Sequence, residues 1–295
     1  MLALMSSGWH VKLVRAREVL DELRVVVRAF VDSRPYELTQ REAGGVVTFE
    51  LRLVESPPQR LSVIAGEIAH DLRSALDHLA WHAIEANGER PSRDTAFPIQ
   101  READESAFAR QTRGMSNRVV AAVRDTQPFA SPTPGQDPLL RLHDFNRFDK
   151  HRLLHVVAIA MQEIHLTIGG RQGTGEVRLP WDARWGWPTF DGVLGGQAIG
   201  FDDATHDLVV YIPAPDRIIR LRLPLARQRV VPDQPIRFSA PRPRRGGDST
   251  VEVYPDIRLD LVFADRGTEI SVIDALEEFV QVTQRVIERV EAASG

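Results

Sequence analysis

The chain has 295 residues, of which 43% are hydrophobic and 26% charged, with a formal charge of -4 and a mean hydropathy of -0.23. That length buries enough apolar surface to fold without disulfides or a structural metal, and the composition excludes disorder, collagen and a membrane span. The absence of cysteine removes thiol catalysis, zinc fingers and iron–sulfur clusters, and the mild negative charge removes the electrostatic basis of a general nucleic-acid binder.

Residues 1–5 lack the charged start and apolar core of a signal peptide, so a cytoplasmic location is expected. From Trp9 onward, Leu13, Ala16, Leu20, Leu23, Val27 and Phe30 recur every three or four positions, which predicts an amphipathic helix over 9–31. Ser33-Arg34-Pro35 ends it. Runs at 36–40 and 46–54 flank Gly44-Gly45 and predict a β-hairpin with a glycine turn. Pro57 and Pro58 open a long helix to residue 86, stopped by Asn87-Gly88. Residues 102–126 have helical composition despite Gly114, 131–138 form a proline-rich connection, and a fourth helix is expected over 139–161.

After residue 161 the texture changes. Short β-rich runs at 164–168, 175–179, 197–201, 207–212, 218–223, 236–238 and 251–263 alternate with glycines and prolines. Val272, Leu276, Phe279, Val280, Val286, Ile287 and Val290 then predict a closing amphipathic helix. The expected class is α+β. An N-terminal α-helical bundle over 1–161 carries the hairpin near 36–55, an antiparallel β portion spans 162–265, and a C-terminal helix within 266–295 packs back.

The second helix has an unusual polar face. Opposite Ile68, Leu72, Leu76 and Leu79 lie Glu67, His70, Asp71, Ser74, Asp77, His78, Trp81 and His82, with Arg73 on the border. A solvated helix face favours Glu, Lys, Arg and Gln, which are better helix formers than His, Asp and Ser. On the expected fourth helix, Asn146 and Asp149 fall among Leu142, Leu153, Val156, Val157 and Ala160. A carboxylate on such a stripe needs a cationic or donor partner, for which Arg73 and His78 are the candidates.

These residues define a candidate site of Glu67, His70, Arg73, Asp77, His78, Asp149 and His151, with Lys150 at its rim. Lys150 is one of only two lysines, the other being Lys12; the remaining 35 of the 37 basic residues are arginines, a usage typical of GC-rich bacterial genomes. Paired histidines and carboxylates suit acid/base hydrolytic chemistry or a small ligand. His151 and His155, one helical turn apart, together with Glu67 and His70 at i,i+3, form a candidate divalent-metal set. No other cofactor is called for. The competing reading is structural, with the same network holding two helices in register inside an interaction protein.

The segment Gly66-Glu67-Ile68-Ala69-His70-Asp71-Leu72-Arg73-Ser74-Ala75-Leu76-Asp77-His78, with Phe97-Pro98, Gln127-Pro128 and Asn146 through Arg152, resembles a family of uncharacterised bacterial proteins of similar size. Its helices read GE-x-x-H-N-LRSALDH and N-x-x-DKHR; Asp71 replaces the Asn of that pattern. The resemblance spans roughly 9–161 and implies an architecture and a site rather than a reaction. Arg73 and His78 also resemble the Arg-x4-6-His motif of HEPN helical ribonucleases, which implies that Arg73 positions a scissile phosphate and His78 acts in proton transfer. Ser74, the early position in the chain and the negative charge depart from that family.

Other signatures are missing: there is no P-loop, no Gly-x-Gly-x-x-Gly and no Gly-x-Ser-x-Gly elbow. Trp181, Trp185 and Trp187 read as the edge of a core or a stacking platform, and Arg242, Arg244 and Arg245 as part of an exposed loop. No membrane partner is expected, nucleic acid enters only through the ribonuclease resemblance, and a second copy of the chain is left open as a partner.

Overall fold

Trp9, Leu13, Ala16, Leu20, Leu23 and Phe30, spaced along one stripe, are the buried side of helix α1 (Gly8–Asp32). The computed structural model that places them describes residues 7–43, 46–150, 154, 156–170, 173–179, 192–194, 197–202, 207–213, 216–222, 227–230, 236–241, 250–264 and 270–294. The Gly44-Gly45 turn, His151, His155, the three tryptophans after residue 180 and the arginines of the 242–245 loop lie outside the described residues.

The expected hairpin is strands β1 (Tyr36–Ala43) and β2 (Val46–Leu53), antiparallel with Tyr36 opposite Leu53 and Ala43 opposite Val46. Helix α2 (Arg60–Ala86) ends where Gly88 takes a φ of +78°, a conformation that suits glycine. The Gly88 and Glu89 amides there donate to the Glu85 and Ile84 carbonyls, satisfying the last turn.

Residues 102–126 form two short helices rather than one, α3 (Glu105–Gln111) and α4 (Asn117–Asp125). Gly114, at φ +90°, turns the chain between them. Each has its own cap: the Asp104 carboxylate accepts from the Ala107 amide and the Ser116 hydroxyl oxygen from the Val119 amide.

The fourth expected helix also needs correction. Helix α5 (Pro138–Asp149) starts on an Asp137 cap with Pro138 in its first turn and stops at Asp149. By Val156 the chain is in strand β3 (Val156–Gly170), so Val156, Val157 and Ala160 are not part of a helical stripe. From Leu153 to Met161 every residue but His155 is apolar, a run that satisfies helical and strand periods equally. The β-branched Val156, Val157 and Ile159 and pairing with a partner strand decide for β.

The remaining strands are β4 (Gly173–Leu179), β5 (Gly192–Leu194), β6 (Gln197–Asp202), β7 (Asp207–Pro213), β8 (Asp216–Arg222), β9 (Arg227–Val230), β10 (Ile236–Pro241), β11 (Thr250–Phe263) and β12 (Ile270–Ser271). All the registered pairings are antiparallel. β5 to β8 form a four-stranded meander, β3 pairs with both β4 and β9, and β10 pairs with β2. Helix α6 (Val272–Ser294) closes the chain. The fold is therefore α+β.

By contacts the chain divides into two interleaved units. One comprises 1–29, 58–156 and 262–295; the other comprises 30–57 and 157–261, which groups the hairpin with the β portion through the β2–β10 pairing. No helix among the described residues is long and apolar enough to cross a membrane.

In the helical unit, α6 packs against α2, α4 and α5, and its Val272, Leu276, Phe279, Val286, Ile287 and Val290 are buried. Each such side chain contributes about 1.5–3 kcal/mol relative to exposure. Polar ties fix the register: Trp9 donates to Glu291 (2.8 Å), Arg24 pairs with Glu277 (2.6 Å), Arg141 with Glu278 (2.9 Å), and Arg289 with Asp125.

Candidate functional site

The polar face of α2 separates into three neighbourhoods within the helical unit. In the first, Arg73 is buried despite its charge. Its Nη2 donates to Asp77 Oδ1 and to the carbonyl oxygen of Phe97, both at 2.7 Å, while the Phe97 amide donates to the same Asp77 oxygen at 2.9 Å. One helical turn of side chains thus satisfies both backbone polar groups of Phe97, whose ring is itself buried. Burial pulls the Arg73 guanidinium below its usual value, and the Asp77 charge opposes that.

The segment that Arg73 holds is fastened again from the other side. Gln127, also buried, donates to the Pro98 and Val123 carbonyls at 2.9 and 3.1 Å and accepts from the Gln100 amide at 3.1 Å. The paired Phe97-Pro98 and Gln127-Pro128 thus belong to one hydrogen-bonded assembly with Arg73 and Asp77.

His143 on α5, outside the site expected from sequence, completes this neighbourhood. Burial first, and then the Arg73 charge, depress its imidazole, so the ring is neutral near pH 7. Its Nδ1 and Arg73 Nη1 are buried without a hydrogen-bond partner. His143 lies four residues after Leu139 and three before Asn146, both buried on α5, and that spacing is the signal that would have found it.

The second neighbourhood joins Gly66, His70 and Asp149. Asp149 ends α5 and lays its carboxylate over Gly66, where a Cβ would overlap it; the glycine is what lets the two helices approach. Burial raises the Asp149 carboxyl above the usual carboxylate range and the nearby His70 opposes the rise. A folded chain that holds this proton more tightly than the unfolded chain is stabilised fully below the ordinary carboxylate pKa of about 4 and loses that contribution as pH rises through the raised value. Urea unfolding of wild type and Asp149→Asn is therefore expected to show the variant gaining relative stability as pH rises above about 4. A difference that does not change with pH would contradict this burial.

The third neighbourhood lies at the start of α1. Lys12 donates to buried Asp71 at 2.6 Å, so this position, which departs from the resembled pattern, is an ion-pair partner. Of the two lysines it is Lys12 that is engaged, while Lys150 is exposed at the end of α5. His78 is exposed, its Nδ1 only 2.5 Å from where a Gly8 Cβ would stand. The His82 ring lies tilted by 34° against Trp9, with ring centroids 4.6 Å apart.

The structure therefore brings together Arg73 with Asp77, and His70 with Asp149, and leaves His78 in separate surroundings. Glu67 and His70 are exposed on α2, and their two expected metal partners, His151 and His155, lie outside the described residues. No group of three or more histidines and carboxylates is gathered for a metal among the described residues.

A concave feature among the described residues of the helical unit lies elsewhere, on the side of α5 that meets α6. A pocket of about 500 Å³ is lined by Arg101, Gly135, Gln136, Arg141, Asp144, Phe145, Phe148, Leu154, Ile270 and Glu278. Its wall is built from the core: Phe145 meets Phe263 and Phe279 edge-on, at 4.8 and 5.3 Å between centroids. The Arg141 guanidinium sits 5.5 Å above the Phe279 ring while bonding Glu278. Stepping along α5 accounts for the separation, since Leu142, Asn146 and Asp149 fall on one side and Arg141, Phe145 and Phe148 on another.

No protein-family model, no curated protein and no solved structure matches the chain.

Proposed function

We propose that the chain is a small-ligand-binding protein of a bacterial cytoplasm, of the family whose two helix motifs it resembles, with the pocket beside α5 and α6 as its binding site. The observation that carries the reading is that pocket: its volume of about 500 Å³ falls within the range of ligand sites, and it combines two phenylalanines with four charged side chains. The Arg73, Asp77 and Gln127 network is read as architecture, because four of its hydrogen bonds run to backbone groups of residues 97–100. Acid/base or ribonuclease chemistry at Arg73 and His78 draws less support, since Arg73 is buried and His78 faces Gly8.

Gly135 supplies the test. It lines the pocket, and a Cβ there would meet nothing within 4 Å. Gly135→Phe should therefore fill the space without a backbone penalty. A neutral apolar dye such as N-phenyl-1-naphthylamine is expected to bind wild type at one site and to bind the variant at least about tenfold more weakly, with thermal stability retained. Equal binding to both proteins would refute the assignment.

A further inference from the structure

The charges around the pocket narrow what it would hold. Arg141 pairs with Glu278 through Nη1 and lies over the Phe279 ring, while its Nη2 is buried without a hydrogen-bond partner. Asp144 is engaged by an interaction of its own. Arg101 lines the pocket and is exposed, and it makes no ion pair or hydrogen bond among the described residues. Arg101 is thus the guanidinium of the lining that no carboxylate among the described residues neutralises, beside a wall of Phe145, Phe148, Leu154 and Ile270. A guanidinium matches the two oxygens of a carboxylate bidentately. The lining holds two cationic and two acidic side chains and so no net positive charge, which disfavours a phosphate dianion.

We infer that the ligand is an apolar monocarboxylate, its hydrocarbon or aryl body against the phenylalanines and its carboxylate on Arg101. This inference rests on the pocket being the binding site, and its test separates the two claims. The probes are 3-phenylpropionate and its neutral amide, titrated by ligand-observed NMR into wild type, Arg101→Gln and Gly135→Phe. The acid is expected to bind wild type at least about tenfold more tightly than the amide, corresponding to about 1.4 kcal/mol. Arg101→Gln should erase that preference while leaving the amide unchanged, and Gly135→Phe should weaken both. If acid and amide bind wild type equally and both are weakened in Gly135→Phe, the ligand class is wrong and the pocket assignment stands. If neither binds, or Gly135→Phe changes nothing, both claims fall.

Discussion

Replacing Arg73 with methionine is expected to lower the unfolding free energy by about 3 kcal/mol, measured by urea denaturation near neutral pH. Methionine keeps much of the aliphatic bulk and removes the guanidinium, so the loss reports hydrogen bonding rather than a large cavity. Two bonds disappear, to Asp77 and to the Phe97 carbonyl, and the carbonyl is left without its donor. Asp77 keeps the Phe97 amide and about a third of its side-chain surface in solvent, which holds the cost below that of stranding a sealed charge. Combined with Asp77→Ala, the two changes should couple by about 1–2 kcal/mol, because both act on the same peptide unit. A catalytic Arg73 would behave differently, with stability near wild type in the methionine variant.

Phe279→Ala should cost more, about 3–5 kcal/mol. Its ring has no solvent exposure, and it carries the edge of Phe145 on one side and the Arg141 guanidinium on another. Truncation removes the transfer free energy of the ring and opens a void in the core of α6. Phe279→Leu should recover more than half of that loss by refilling most of the volume. Binding should follow stability here: with Phe145 and Arg141 released, 3-phenylpropionate should bind the alanine variant more weakly than the leucine variant. Equal affinity in the two would detach the pocket wall from the core.

How much of this was readable beforehand depended on whether the signal was local. The stripes of α1, α2 and α6 and the hairpin around Gly44-Gly45 are periodic patterns within one element, and they predict those elements closely. Arg73 and Asp77 stand at i,i+4, a spacing that is local in the same way. Their common partner was not legible, because Phe97 takes part through its backbone, which carries no residue-type signature. Lys12 finds Asp71 across 59 positions, and nothing near either residue announces the pairing. The expected helix to residue 161 fails because an almost unbroken apolar run fits both periods, and residues from Val156 onward are in strand β3. The pocket was out of reach for the same reason as Phe97. It is assembled from Arg101, a turn at Gly135-Gln136, one side of α5, Leu154, Ile270 and Glu278, and no short motif spans those segments.

Helix α5 has one side that fastens architecture and one that we propose receives a ligand, and a single measurement addresses that division directly. Amide and side-chain shifts of the isotope-labelled full chain would be followed while 3-phenylpropionate is added. The prediction is that the changes gather at Arg101, Gln136, Arg141, Phe145, Phe148 and Ile270 and leave Arg73, Asp77 and His143 still. Changes centred instead on His70, Arg73, Asp77 and His143 would contradict the account and return the site to the face of α2.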